Sequence, residues 1–165
     1  GRSGVGTIEQ PAGLDVGYLE SLLATKLQAV AGRLDLAVER REDAVVISLV
    51  GLSDVDEPSA EFEQSVTAMA QTLTPIANAI EVHGHAAPQT GPDGAPASWE
   101  ISLLRASALA EALRVGGYDK PIAVFGHGES WLTTLPADLD EAERRRRSAR
   151  IDIVVREAAA YASSR

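Results

Sequence analysis

The chain has no cysteine, which removes disulfides, thiolate nucleophiles and cysteine-based zinc sites together. It leaves the compartment open, because oxidising compartments also hold cysteine-free domains. Positive charge is scarce: 15 Lys and Arg face 24 Asp and Glu, a formal net charge of -9. A DNA or RNA backbone would be repelled over most of such a surface, so no nucleic-acid partner is expected. No window approaches the roughly 18 to 20 apolar residues that a bilayer-spanning helix needs, and the first residues lack the basic-then-apolar pattern of a secretion signal. The opening GRSGVG has no initiator Met and reads as a cloning remnant or flexible linker, a start compatible with a membrane segment upstream.

What is present is a core. Of 165 residues, 45% are hydrophobic, enough for one compact domain. Residues 1–13 are expected as the linker, 14–33 as an N-terminal helix, 34–157 as the domain proper and 158–165 as a tail. From Asp15 to Ala31 the residues Val16, Leu19, Leu22, Leu23, Leu27 and Val30 recur at steps of three and four, one face of a helix that Gly32 can end. LDLAVER (34–40) alternates as a half-buried strand, and the turn Arg41-Glu42-Asp43 leads into AVVISLV (44–50), so the two read as a hairpin. A loop over 51–58 precedes a second helix, capped at Ser59 or a neighbour, with Phe62, Val66, Met69, Leu73 and Ile76 on one face to about Ala77.

IEVHGH (80–85) is a strand with Ile80, Val82 and Gly84 on one face and Glu81, His83 and His85 on the other. AAPQTGPDGAPA (86–97), rich in proline and glycine, is a long loop. A helix over 98–115 follows, with Ile101, Leu104, Leu109 and Leu113 expected inward and Gly116-Gly117 closing it. PIAVFG (121–126) is a strand, 127–139 a loop, DEAERRRR a short charged helix or turn, and ARIDIVVRE (149–157) a final alternating strand. This order of elements predicts an α/β (α+β) two-layer sandwich, a mixed sheet with helices packed on one face.

Three local signals compete for chemistry. His83 and His85 share a strand face and would suit a metal, but the spacing supplies neither a third ligand nor an orienting second shell, and an ordinary polar face is the expectation. Nothing stands at motif spacing to serve as a nucleophile for paired histidines, so no enzyme, cofactor or metal is expected. The run Arg144 to Arg147 follows Asp140, Glu141 and Glu143 at four-residue steps, pairs worth about 0.2 to 0.5 kcal/mol each on a solvated helix. GHGES (126–130) matches neither a nucleophile elbow nor a phosphate loop.

Taken in order, these pieces say more than any one alone. A strand ending Gly84-His85, the helix opening SWEISLLRA, a strand into GHGES and an Arg-rich turn into RIDIVV together resemble the OmpA-like peptidoglycan-binding domain, in particular its MotB-type branch, over Leu34 to Glu157. Gly84 and His85 match the start of the family's Gly-His-Thr-Asp, with Ala86 and Ala87 where Thr and Asp stand. Trp99, Glu100, Ile101, Ser102, Arg105 and Ala106 match the helix motif with Ser98 in place of Asn. Gly126, Gly128 and Glu129 match the third motif. Near the last strand, Glu143, Arg145 and Arg150 fit, while Ser148 and Ala149 replace Asn and the first Arg.

The resemblance implies a non-catalytic periplasmic domain that anchors a membrane-tethered protein, such as a motor stator subunit, to the cell wall as a homodimer. It assigns the diaminopimelate-containing stem peptide of peptidoglycan to His85, Ala86, Ala87, Ser102, Arg105 and Arg150. There the motif Asp would neutralise an ammonium and the helix Arg would fork onto a carboxylate. Arg105 can play the second part, or can pair with an acid such as Glu81 or Glu129. Ala87 cannot play the first, and losing one member of a desolvated charge pair costs about 2 to 5 kcal/mol. Asp93 and Glu100 are the candidate compensating acids. The competing reading is a degenerate domain that has lost wall binding and serves dimerisation or docking; a histidine-based metal enzyme would require stoichiometric zinc.

Overall fold

The computed structural model describes residues 15–30, 34–50, 60–87, 93–94, 97–130 and 135–157. The linker and tail, Gly32, Ser59 and most of the 86–97 loop lie outside them.

Helix α1 (Val16–Val30) starts where the Asp15 carboxylate accepts from the Tyr18 N–H at 2.9 Å, satisfying a backbone donor that the first turn leaves open. Its apolar stripe buries Val16, Leu19, Leu23 and Leu27. Strands β1 (Asp35–Arg40) and β2 (Ala44–Val50) form the expected antiparallel hairpin, closed by the Arg41 N–H on the Ala44 carbonyl at 2.8 Å. Helix α2 (Ala60–Leu73) stops before the predicted Ala77, yet Ile76 remains buried beyond its end. Strand β3 (Ile80–Gly84), helix α3 (Ser98–Val115) and strand β4 (Ile122–Gly126) form a parallel crossover. Helix α4 (Glu141–Ser148) and strand β5 (Arg150–Arg156) complete the chain.

The sheet order is β1-β2-β5-β3-β4, with only β3 and β4 parallel. Parallel neighbours cannot be joined by a tight turn, so α3 must bridge them, and it lies along the pair it connects. The inner face of the sheet, with Val45, Ile47, Leu49, Ile80, Val82, Ile151, Ile153 and Val155, meets the buried stripes of α1, α2 and α3 in one core. Fully burying each Leu or Ile contributes about 1.5 to 3 kcal/mol. This is the two-layer sandwich read from periodicity. The outer face carries a small apolar cluster of Ala44, Val46 and Val154, beside a polar zone.

Two expectations change. Leu104 is 67% exposed rather than inward, and α3 faces the sheet with Ser98, Ser102, Ala106, Leu109, Ala110 and Leu113. Where α3 crosses the end of β3, the small residues Ser102 and Ala106 face Gly84, and Leu104 is turned away to solvent. In α4, Asp140 caps the helix through the Glu143 N–H at 2.8 Å, and Arg144 donates to the Pro136 carbonyl at 2.7 Å. The Glu143 to Arg147 pair forms as expected at 2.6 Å, while Arg146 reaches Asp35 of β1. A capping carboxylate is already bonded to the backbone, which competes with the side-chain pair the spacing predicts.

Candidate functional site

The neighbouring ends of β3 and β4 are glycines, and α3 rests on them. A Cβ on Gly84 would lie 2.1 Å from the Ser102 carbonyl oxygen, and one on Gly126 would lie 2.8 Å from the Leu103 Cβ. Both strands therefore end in the one residue that lets a helix backbone approach so closely.

Ser102, fully buried, locks this approach. Its hydroxyl donates to the Trp99 carbonyl at 2.8 Å and accepts from the Gly128 N–H at 2.9 Å. Gly128 has φ 59°, a left-handed turn position that glycine adopts without strain. Its carbonyl accepts from the Ala86 N–H at 2.9 Å, while the His127 N–H donates to Gly84 at 2.9 Å and the His85 N–H to Arg150 at 2.8 Å. Ser98 donates to the Glu129 carboxylate at 2.9 Å. The segments 84–87, 98–106 and 126–129 thus close into one knot.

The candidate ligand residues sit unequally around it. Trp99 is 57% exposed and Glu100 lies open on the first turn of α3. Arg105 is half-buried on the same helix. Ala86 and Ala87 are buried, Ala87 with only 3% of its surface exposed. Arg150 grips Asp152 in a two-pronged pair at 2.6 and 3.0 Å, both nearly buried. Of the compensating acids, Asp93 lies exposed in a turn of the long loop and Glu100 at the helix start. Of the acids considered for Arg105, Glu81 bonds Arg156 and His83, and Glu129 accepts from Ser98.

The outer face of the sheet holds an arrangement that sequence spacing did not reveal. All three histidines of the chain meet there. His83 Nδ1 lies 2.8 Å from His127 Nε2 and His83 Nε2 lies 2.8 Å from Glu81 Oε1. The rings of Phe125 and His127 flank His83 at 4.6 and 5.0 Å, and His85 stacks on His127 at 5.0 Å. Asp152 stands 3.8 Å from His85 Nε2. Burial pushes the His85 imidazole down to about 4, against the pull of Asp152. Burial and then the His83 charge hold His127 below its ordinary value, again with Asp152 opposing. Burial raises the Glu81 carboxyl, but its bonds to Arg156 and His83 outweigh that and hold it below the carboxylate range. Alternation alone placed Glu81, His83 and His85 on one face; the pairing of His83 with Asp152 across β3 and β5 came from register.

Among the described residues, no group of three His, Asp or Glu converges as metal ligands would, and no helix is long and apolar enough to cross a membrane.

No protein-family model and no curated protein sequence matches the chain. Solved structures do. The periplasmic domain of Helicobacter pylori MotB superposes with a TM-score of 0.64 at 17% identity, covering 81% of this chain and 85% of that one. The cell wall anchor of the T6SS from Pseudomonas aeruginosa gives 0.60 at 24% identity over 84% and 96%. A MotB-like protein from Desulfovibrio vulgaris gives 0.63 at 14% identity over 86% and 90%. The chain has the fold of these domains, as its motif order implied.

Proposed function

We propose that this chain, with the fold of a MotB periplasmic domain, is a non-catalytic domain that binds peptidoglycan and anchors a membrane-tethered protein of the cell envelope from the periplasm. The observation that carries it is the knot of Gly84 to Ala87, Ser98 to Ala106 and Gly126 to Glu129, the stretches in which the OmpA-like motifs lie. Arg105 stands on the helix that crosses the knot and supplies the fork for a stem-peptide carboxylate. The wall-anchor function named for the P. aeruginosa structure of the same fold supports this reading. A stator-type role as a homodimer is the finer form of the proposal, supported by the MotB likenesses.

One observation favours a second reading. Position 87 is a buried methyl where an ammonium would need an acid, and Asp152, on the neighbouring strand, is held by Arg150. A docking or dimerisation module that no longer binds the wall fits that feature. Co-sedimentation with purified sacculi separates the two, using the parent, Arg105→Ala and Ala87→Asp with folding checked by circular dichroism. Anchoring requires that the parent pellets and that Arg105→Ala releases it. A parent that stays in solution while Ala87→Asp pellets establishes the docking reading instead.

A further inference from the structure

We propose that the cluster of His83, His85 and His127 is a proton sensor for the adjoining knot, in which acidification parts the imidazoles and loosens the turn at Gly128 and the Ala86 segment bonded to it. The effect on wall binding rests on the function proposed above; the conformational response does not.

His83 Nε2 faces the Glu81 carboxylate at 2.8 Å and so carries a hydrogen. His83 Nδ1 and His127 Nε2, 2.8 Å apart, share one hydrogen between them, since a bond needs one donor and one acceptor. One proton added to the pair still leaves a donor and an acceptor, with Glu81 balancing the charge. A second puts N–H against N–H and two like charges on rings whose centroids are 5.0 Å apart, and the bond must open. The third ring, His85, is likewise 5.0 Å from His127, so its charging adds to the repulsion.

The charged groups facing the cluster are few. From β3 there is Glu81; from β5, Asp152, Arg150 and Arg156, with Asp43 of the hairpin turn bonded to Arg156 at 3.4 Å. Helix α3 covers the opposite face of the sheet. Asp152 favours protonated His85 and His127, but its carboxylate is held by Arg150. Burial opposes charge on both rings, pushing His85 down to about 4 and holding His127 below its ordinary value.

The mechanical link is short. His127 donates its N–H to Gly84 and His85 donates to Arg150, and the next residue of each segment, Gly128 and Ala86, bond one another at 2.9 Å. Gly128 also holds Ser102 of α3. Displacing His127 therefore pulls on the bonds that fix the helix start.

The test titrates 15N-labelled protein from pH 7.5 to 4.0 in EDTA, following the imidazole signals and the amides of Ala86 and Gly128, alongside sacculus binding. Glutamine can keep the bond to His83 without titrating, so His127→Gln is the control, with His83→Gln as a second. We expect both amides to shift with the midpoint of the imidazoles in the parent and to stay still in His127→Gln. Coupling to one proton lowers binding by about tenfold for each pH unit below the midpoint, and His127→Gln should lose less than about threefold. Imidazoles that titrate while the amides stay still overturn the sensor. Equal pH dependence of binding in parent and His127→Gln overturns its link to the ligand. If the parent binds no sacculi at pH 7.5 the anchoring function fails, and moving amides then still support the sensor.

Discussion

Ser102→Ala separates a ligand contact from an internal lock. The hydroxyl of this fully buried residue donates to the Trp99 carbonyl and accepts from the Gly128 N–H. The Trp99 carbonyl lies within a helix, where the backbone N–H of the following turn remains available to it. The Gly128 N–H has no such substitute, and a buried donor left without an acceptor costs about 1 to 3 kcal/mol. At about 2 to 4 °C per kcal/mol for a domain of this size, the melting temperature should fall by roughly 2 to 12 °C. Urea unfolding at pH 7.5, read by circular dichroism, gives the free-energy change, and the Gly128 amide signal should shift in the same sample. A residue whose hydroxyl served only the stem peptide would lose sacculus binding with its stability intact. A change in unfolding free energy below about 0.5 kcal/mol would refute the lock.

Gly84→Ala should cost more than Ser102→Ala, because its methyl meets a backbone oxygen at 2.1 Å and overpacking against backbone costs about 1 to 3 kcal/mol or more; comparing urea midpoints of the two variants checks this. Leu104→Ser should change stability by less than about 0.5 kcal/mol, since the side chain is 67% exposed, and a larger loss in the same assay would place that residue in the core after all. Arg150→Ala leaves Asp152 nearly buried without its two-pronged partner, a break worth about 3 kcal/mol at neutral pH; the loss should shrink in a double variant with Asp152→Asn. The folded state holds the His85 pKa at about 4, below its ordinary 6.5, so the unfolded chain binds more protons between those values and stability must fall as pH drops through that window. Urea midpoints measured every half unit should show this slope and lose part of it in His85→Gln; a flat profile in the parent contradicts the burial of that ring.

The features legible in the sequence are those carried by local spacing. Three- and four-residue steps in α1 and α2, two-residue alternation in β1, β3 and β5, and the Gly116-Gly117 stop depend only on which side chains a helix or strand turns to one side. The order of motifs from Gly84-His85 through SWEIS and GHGES was equally readable, and it carried the fold. Leu104 was misjudged because Leu103 and Leu104 are adjacent and helical periodicity admits either as the inward residue. The seat of the helix made the choice: Ser102 and Ala106 lie over Gly84 and Leu103 lies over Gly126, which turns Leu104 outward.

Tertiary structure alone decided which residues meet. His83 faces Asp152 because β3 pairs with β5 in one register, and it reaches His127 because β4 runs parallel beside it. Neither contact leaves a trace in spacing along the chain, since residues 44 and 69 positions apart become neighbours only when the sheet closes. The same closure buried Ser102 between the Trp99 carbonyl and the Gly128 N–H and left Ala87 as a buried methyl. Sequence determined the elements and their order, because those follow from local backbone geometry; the sheet register and the close seat of α3 determined the site, because those follow from packing.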